Sequence, residues 1–259
     1  MKNSIARKLT LGLLLCSSLQ VLAATAEVKQ VIDKARVSYY ALKDQGLKTF
    51  HCNVEPDWRK FLEGVTKKPV AADDPQLNRF KDLRFSVAID EEGQSTITPF
   101  MVNGGNIDPA LSQMIDGFKQ MLAGFYQTWT ALVLKNPFHE VSDSITLRQE
   151  GDNFRLLSKD GGSDVEIVLN KDYAMSEMKV MSAGSKVVMF PKYTKTAKGL
   201  LLTDIDSTID DGKQRIVIGI TYQNIQGFNL PGHASFRVTL PDQVVAVEIA
   251  FSQYQLATQ

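Results

Sequence analysis

Asp204, Asp206, Asp210 and Asp211 form an acidic run in the 259-residue sequence that invites a divalent cation. An EF-hand loop opening at Asp204 would need glycine at its sixth position and glutamate at its twelfth, where the chain has Ile209 and Arg215. A casual surface calcium site or a solvated turn remains. The three histidines, His51, His139 and His233, have no second histidine or cysteine pair at zinc spacing. Cys52 would need a positioned base to act as a nucleophile. Its neighbour His51 is a poor candidate, because adjacent side chains on a strand point to opposite faces. A buried small hydrophobe is the plain reading of Cys52, and a reactive or intermolecular thiol the sharper one. No Gly-x-Ser-x-Gly elbow and no Gly-x-x-x-x-Gly-Lys loop occur, so no metal and no cofactor are expected.

The stretch Leu200-Leu201-Leu202-Thr203-Asp204-Ile205-Asp206-Ser207-Thr208 is an apolar strand closing on Asp-x-Asp-x-Thr. It resembles the first motif of haloacid-dehalogenase-type phosphatases, which implies Asp204 as nucleophile and Asp206 as acid/base. That fold also needs a parallel sheet with further α/β units after the motif. Residues 209–259 read instead as strands, so the expectation is a strand entering an acidic turn, in a protein that is not an enzyme.

Apolar chemistry is what remains. Leu111, Ile115, Phe118, Leu122, Phe125, Trp129 and Leu132 recur at intervals of four and three, with Met114 and Met121 among them. Methionines and aromatics line adaptable apolar cavities, and the same spacing also describes plain core. Leu111, Ile115, Phe118, Met121, Leu122, Phe125 and Trp129 are the candidate lining of an apolar cleft.

The elements that must carry this stripe follow from the hydrophobic periods. Val28, Ile32, Ala35, Tyr39 and Leu42 predict a helix over 27–44, stopped by Gly46. A strand over 47–54 follows, then a helix opening at Pro56 with Trp58, Phe61, Leu62 and Val65 as its buried face, and a loop over 67–75. Residues 84–89 and 96–102 read as a hairpin and 103–106 as a turn. Asp108-Pro109 opens the long helix of 109–134 with a capping carboxylate before proline. After Pro137 the period becomes 2, giving about nine strands separated by Gly151-Asp152, Gly161-Gly162, Gly184, Asp211-Gly212, Pro231-Gly232 and Pro241-Asp242. The fold class is α+β: a curved antiparallel sheet of about nine to eleven strands covered by amphipathic helices.

At the N-terminus, Lys2, Arg7 and Lys8 precede the apolar run Leu9 to Leu15, and small residues follow at Ala23 and Ala26. This is the pattern of a cleavable export signal over 1–23, with Ala26 as a second cleavage boundary, leaving one domain over 24–259. Ser17, Ser18 and Gln20 interrupt the apolar stretch too early for a membrane anchor, and no transmembrane helix is expected after it. Cys16 follows Leu13-Leu14-Leu15 rather than the small residue that lipidation favours. Loss of the leader removes three positive charges and no acids from a chain of zero net charge, leaving −3. The remaining charges are interspersed in sign, which argues against nucleic-acid binding.

The export signal, the early Ser38-Tyr39-Tyr40-Ala41-Leu42-Lys43 helix, the 47–54 strand and the long meander together resemble the LolA/LolB-type superfamily of periplasmic lipoprotein carriers. The N-terminal domain of the sigma-E regulator RseB shares that fold. Tyr222 to Pro231 is similar to the late segment in which that superfamily passes a small residue and proline between two barrel strands. The resemblance implies a half-open barrel in the periplasm, with lipid or lipoprotein acyl chains as cargo, a membrane-associated protein as partner, and no bond chemistry. A structural or regulatory interaction domain with a filled core is the alternative.

Overall fold

The computed structural model describes residues 26–138, 145–182 and 184–259; the expected leader, Cys16 and His139 lie outside the described residues. Among the described residues there are four α-helices: α1 (Ala26–Ser38), α2 (Trp58–Thr66), α3 (Pro75–Phe80) and α4 (Ser112–Trp129). The strands are β1 (Leu47–Pro56), β2 (Leu83–Ile89), β3 (Ser95–Met101), β4 (Thr146–Glu150), β5 (Asn153–Asp160), β6 (Ser163–Leu169), β7 (Met175–Ser182), β8 (Ser185–Thr196), β9 (Gly199–Ile209), β10 (Gln214–Ile225), β11 (Phe228–Leu240) and β12 (Gln243–Thr258).

Among the described residues, twelve strands join one sheet in the order β3-β2-β1-β12-β11-β10-β9-β8-β7-β6-β5-β4, one more than the upper end of the expected number. Each pairing between named strands is antiparallel. Strands β3 and β4 are the two edges, so the sheet stays open. At about 4.8 Å per strand, its eleven spacings amount to ~53 Å of arc. The connection from β3 to β4 crosses from one edge to the other and contains α4. Helix α4 lies against the consecutive strands β2-β1-β12-β11 of one half of the sheet, while α1 approaches β4 and β9 of the other. Phe118 meets Phe85 of β2, Phe125 meets Phe236 of β11 and Phe251 of β12, and Trp129 meets Phe50 of β1.

Local chemistry sets the helix ends. Asp108 accepts a hydrogen bond from the Ala110 N–H at 2.9 Å, starting a 3-10 turn over Pro109–Leu111 that leads into α4. Beyond Trp129 the helix widens into a π turn over Thr130–Leu134, whose Val133 carbonyl accepts the Leu42 N–H at 3.0 Å. The first helix is shorter than its apolar period predicts. It ends at Ser38 because Tyr39 makes a parallel bridge to Leu200 and the Tyr40 N–H donates to the Leu200 carbonyl at 3.0 Å. Pro56 closes β1 rather than opening a helix, and Asp57 caps α2 by accepting from the Lys60 N–H. The expected loop ends at Pro75, where the unanticipated helix α3 begins, capped by Asp74.

One expected turn is also displaced. Pro231-Gly232 lies inside β11, where Thr221 pairs with His233 and Tyr222 with Pro231, leaving Gly232 as a bulge. The chain reverses instead at Gln226-Gly227, both at positive φ.

Candidate functional site

Helix α4 brings the seven stripe residues to one face. Leu111, Ile115, Phe118, Met121, Leu122, Phe125 and Trp129 are 0–7% exposed. Phe118 sits 4.6 Å from Trp58 and 5.9 Å from Phe85 between ring centroids, and Phe125 stacks on Phe251 at 5.8 Å. In this half of the cup, built by β10–β12 and β1–β3, the stripe is packed as core between helix and sheet.

The other half has a different character. Antiparallel register puts Leu147 of β4, Phe154 and Leu156 of β5, Val165 and Ile167 of β6, Met178 and Val180 of β7, and Val187 and Met189 of β8 in one inward-facing apolar field. Leu147, Phe154, Val165 and Met178 are only half-buried there, although each packs against the core. Among the described residues, α1 approaches β4 and β9 and α4 approaches β3, while no helix backbone comes as close to β5–β8. Sequence periodicity could identify these inward residues but not which half of the sheet α4 fills.

A seam of phenols separates the halves. The Tyr39 hydroxyl accepts from the Met175 N–H at 2.6 Å and donates to the Tyr173 carbonyl at 3.4 Å. The Trp129 indole N–H donates to the Tyr222 hydroxyl at 3.2 Å, and the Tyr40 hydroxyl accepts from the Asn229 N–H at 2.8 Å. Tyr193 of β8 meets Tyr39 edge-on at 5.3 Å, and its hydroxyl is shut away from solvent on the Tyr39 side of the seam. Burial pushes the Tyr39, Tyr193 and Tyr222 phenols well above their ordinary range, so all three are neutral donors at physiological pH.

The polar residues singled out in the sequence have other partners. Asp206 takes the Arg215 guanidinium across β9 and β10 at 2.8 Å from Nε, and Asp204 lies on the same outward face. Both flanking strands run antiparallel to β9, so the parallel setting of the phosphatase motif is not formed. Asp210 holds the β8 start through the Ser185 hydroxyl, and Asp211 pairs with Lys186 at 2.7 Å. His51 and Cys52 do point apart: His51 Nε2 meets the Ser86 hydroxyl at 2.6 Å, while the Cys52 thiol is buried 3.3 Å from the Tyr126 hydroxyl. Burial pushes the Cys52 thiol up to about 11. His233 contacts Glu248 at 3.1 Å on the outer face. Among the described residues, no three His, Cys, Asp or Glu side chains gather as a metal ion would require, and no helix is long and apolar enough to cross a membrane.

No family model matches the sequence, and no curated protein matches it either. Among solved structures, a LolA superfamily protein from Nitrosomonas europaea is similar over 89% of this chain and 94% of its own, at 12% sequence identity and a TM-score of 0.33.

Proposed function

We propose that this chain is an exported, non-catalytic carrier that holds a lipid or lipoprotein acyl chain against the inner face of β4–β8. The observation that supports the reading is the half-buried apolar field of Leu147, Phe154, Val165 and Met178 on the core-facing side of the sheet. Large apolar side chains left partly uncovered in a concavity are the usual lining of an apolar-ligand site. Each methylene buried there contributes about 0.8 kcal/mol, so one acyl chain supplies useful affinity without any bond chemistry. The α4 stripe forms the fixed wall of the cup, and the expected leader would deliver the protein to the periplasm.

Titration of the full chain with diphenylhexatriene, alongside native mass spectrometry for co-purifying lipid, tests the proposal. Met178→Glu puts a charge on the inner face and lowers probe affinity at least ~10-fold, because an unpaired charge is costly in an apolar site. Met181→Glu, on the outer face of the same strand at 42% exposure, leaves affinity at the parent value. No binding by the parent, or equal losses in both variants, overturns the carrier reading. It would leave the interaction domain, which the complete burial of the α4 stripe favours. Release of the protein by osmotic shock tests the periplasmic part.

A further inference from the structure

We infer that the open edge of β4 is a self-association surface, and that its partner is β4 of a second copy of this chain, paired antiparallel about a two-fold axis at Gln149. The inference goes beyond the carrier reading and does not depend on any cargo. Of the two sheet edges, β3 is blunted. The Asp90 N–H donates to the Gln94 carbonyl at 3.1 Å across the β2–β3 loop, so two-residue alternation makes Phe85 and Pro99 a pair with no ladder bonds between them. The Pro99 nitrogen therefore faces outward, where it has no proton to offer, and α4 runs close beside this strand. Strand β4 contains no proline.

What β4 presents follows from its hairpin. The two-residue turn Gly151-Asp152 closes on the bonded pair Glu150–Asn153, so Arg148 and Thr146 also bond towards β5, and the N–H and C=O of Leu147 and Gln149 face the open edge. Arg148 and Glu150 lie exposed on the outer face of the same strand. With Gln149 set opposite its own copy, the two Gln149 residues exchange a pair of ladder bonds, and each Arg148 falls opposite a Glu150 of the other copy. That register also answers a mismatch within the chain. Arg148 stands across from Arg155, a like charge, and among the described residues no carboxylate lies within ion-pair distance of it. Arg155 is already held by Glu150 at 2.9 Å and by Glu166. The Glu150 carboxylate has lone pairs for a second guanidinium. Because the two ion pairs are identical, the contact is isologous and closes at two copies.

Sedimentation velocity of the full chain over a concentration series tests the inference, with Arg148→Glu, Arg148→Glu/Glu150→Arg and Gln149→Pro as variants. The parent is expected to show a monomer–dimer equilibrium. Arg148→Glu should weaken it at least ~10-fold, because two cross-strand attractions become two repulsions. The double variant reverses both charges, keeps them complementary, and should return to within ~3-fold of the parent. Gln149→Pro removes an outward N–H without touching a bond to β5, and should abolish the dimer. A parent that stays monomeric up to ~1 mM overturns the inference. So does a dimer indifferent to Arg148→Glu or Gln149→Pro, a double variant no tighter than Arg148→Glu, or an assembly that grows beyond two copies. A thermal melt confirms that each variant is folded.

Discussion

Gly199 is the point where the exit of α1 touches the β8–β9 hairpin, and Gly199→Ala is the most direct test of how the two are fastened. Its φ of +117° lies where residues with a Cβ are strained by about 1–3 kcal/mol. The added methyl would also lie 2.7 Å from the Tyr39 carbonyl carbon, 2.8 Å from the Tyr40 nitrogen and 2.9 Å from the Tyr39 oxygen. Those atoms are backbone and cannot swing aside. Relief has to open the Tyr39–Leu200 bridge and its 3.0 Å hydrogen bond from Tyr40 to Leu200, which costs a further ~1 kcal/mol or more. The expected loss is about 2–4 kcal/mol. Gly212→Ala supplies the control: φ is +90° and nothing lies within 4 Å of the added carbon, so only backbone strain is felt. Urea unfolding followed by circular dichroism, with unchanged m-values, gives both losses, and Gly199→Ala should exceed Gly212→Ala by at least ~1 kcal/mol. Equal losses would refute the close approach of the α1 exit to the hairpin.

Two further perturbations address polar groups. With its pKa raised to about 11 by burial, the Cys52 thiol is about one part in a thousand thiolate at pH 8, so it should react with a disulfide reagent only at the rate of unfolding and fully in denaturant; rapid native labelling would contradict its place in the core. Asp206→Asn removes a partly exposed ion pair and should cost no more than about 1 kcal/mol at pH 7 by urea unfolding. The Arg215 hydrogen bond holds the folded pKa of Asp206 below its unfolded value, so this contribution is present above the ordinary carboxylate range and is lost as pH falls through the depressed folded value. A variant that differs more from the parent at pH 3 than at pH 7 would reverse that sign.

Much of the architecture is legible in the residues because the periods are strong. The alternation after Pro137 contains one inward pair for each of β4–β12, and the stripe of 109–134 covers the 3-10 turn, α4 and the π turn together. The failures have local causes. The end of α1 is decided by Leu200, far away in sequence, so no periodicity over 27–44 could reveal it. Helix α3 did carry a signal: Asp74-Pro75 repeats the cap chemistry of Asp108-Pro109, but only Leu77 and Phe80 follow as a buried face. Pro231-Gly232 has the composition of a turn, yet it sits in the ladder at a bulge, and the Pro231 carbonyl is taken by Gln223 and Tyr254. The site was legible only as a type of chemistry. Which part of the apolar face α4 covers depends on how the β3–β4 connection crosses the sheet, which no local period records.

The pairing of β1 with β12 has a consequence in time. Val54 lies beside Phe251, and Leu47 beside Thr258, so β1 acquires this partner only after roughly 200 further residues have been made. At about 5–20 residues per second, the roughly 200 residues between Val54 and Phe251 take ~10–40 s to synthesise. For that interval the hairpin of β2 and β3 can pair with β1 alone, and the cup has no finished wall for α4 to pack against. A chain built in this order keeps one side of β1 without its partner strand until β12 has been made.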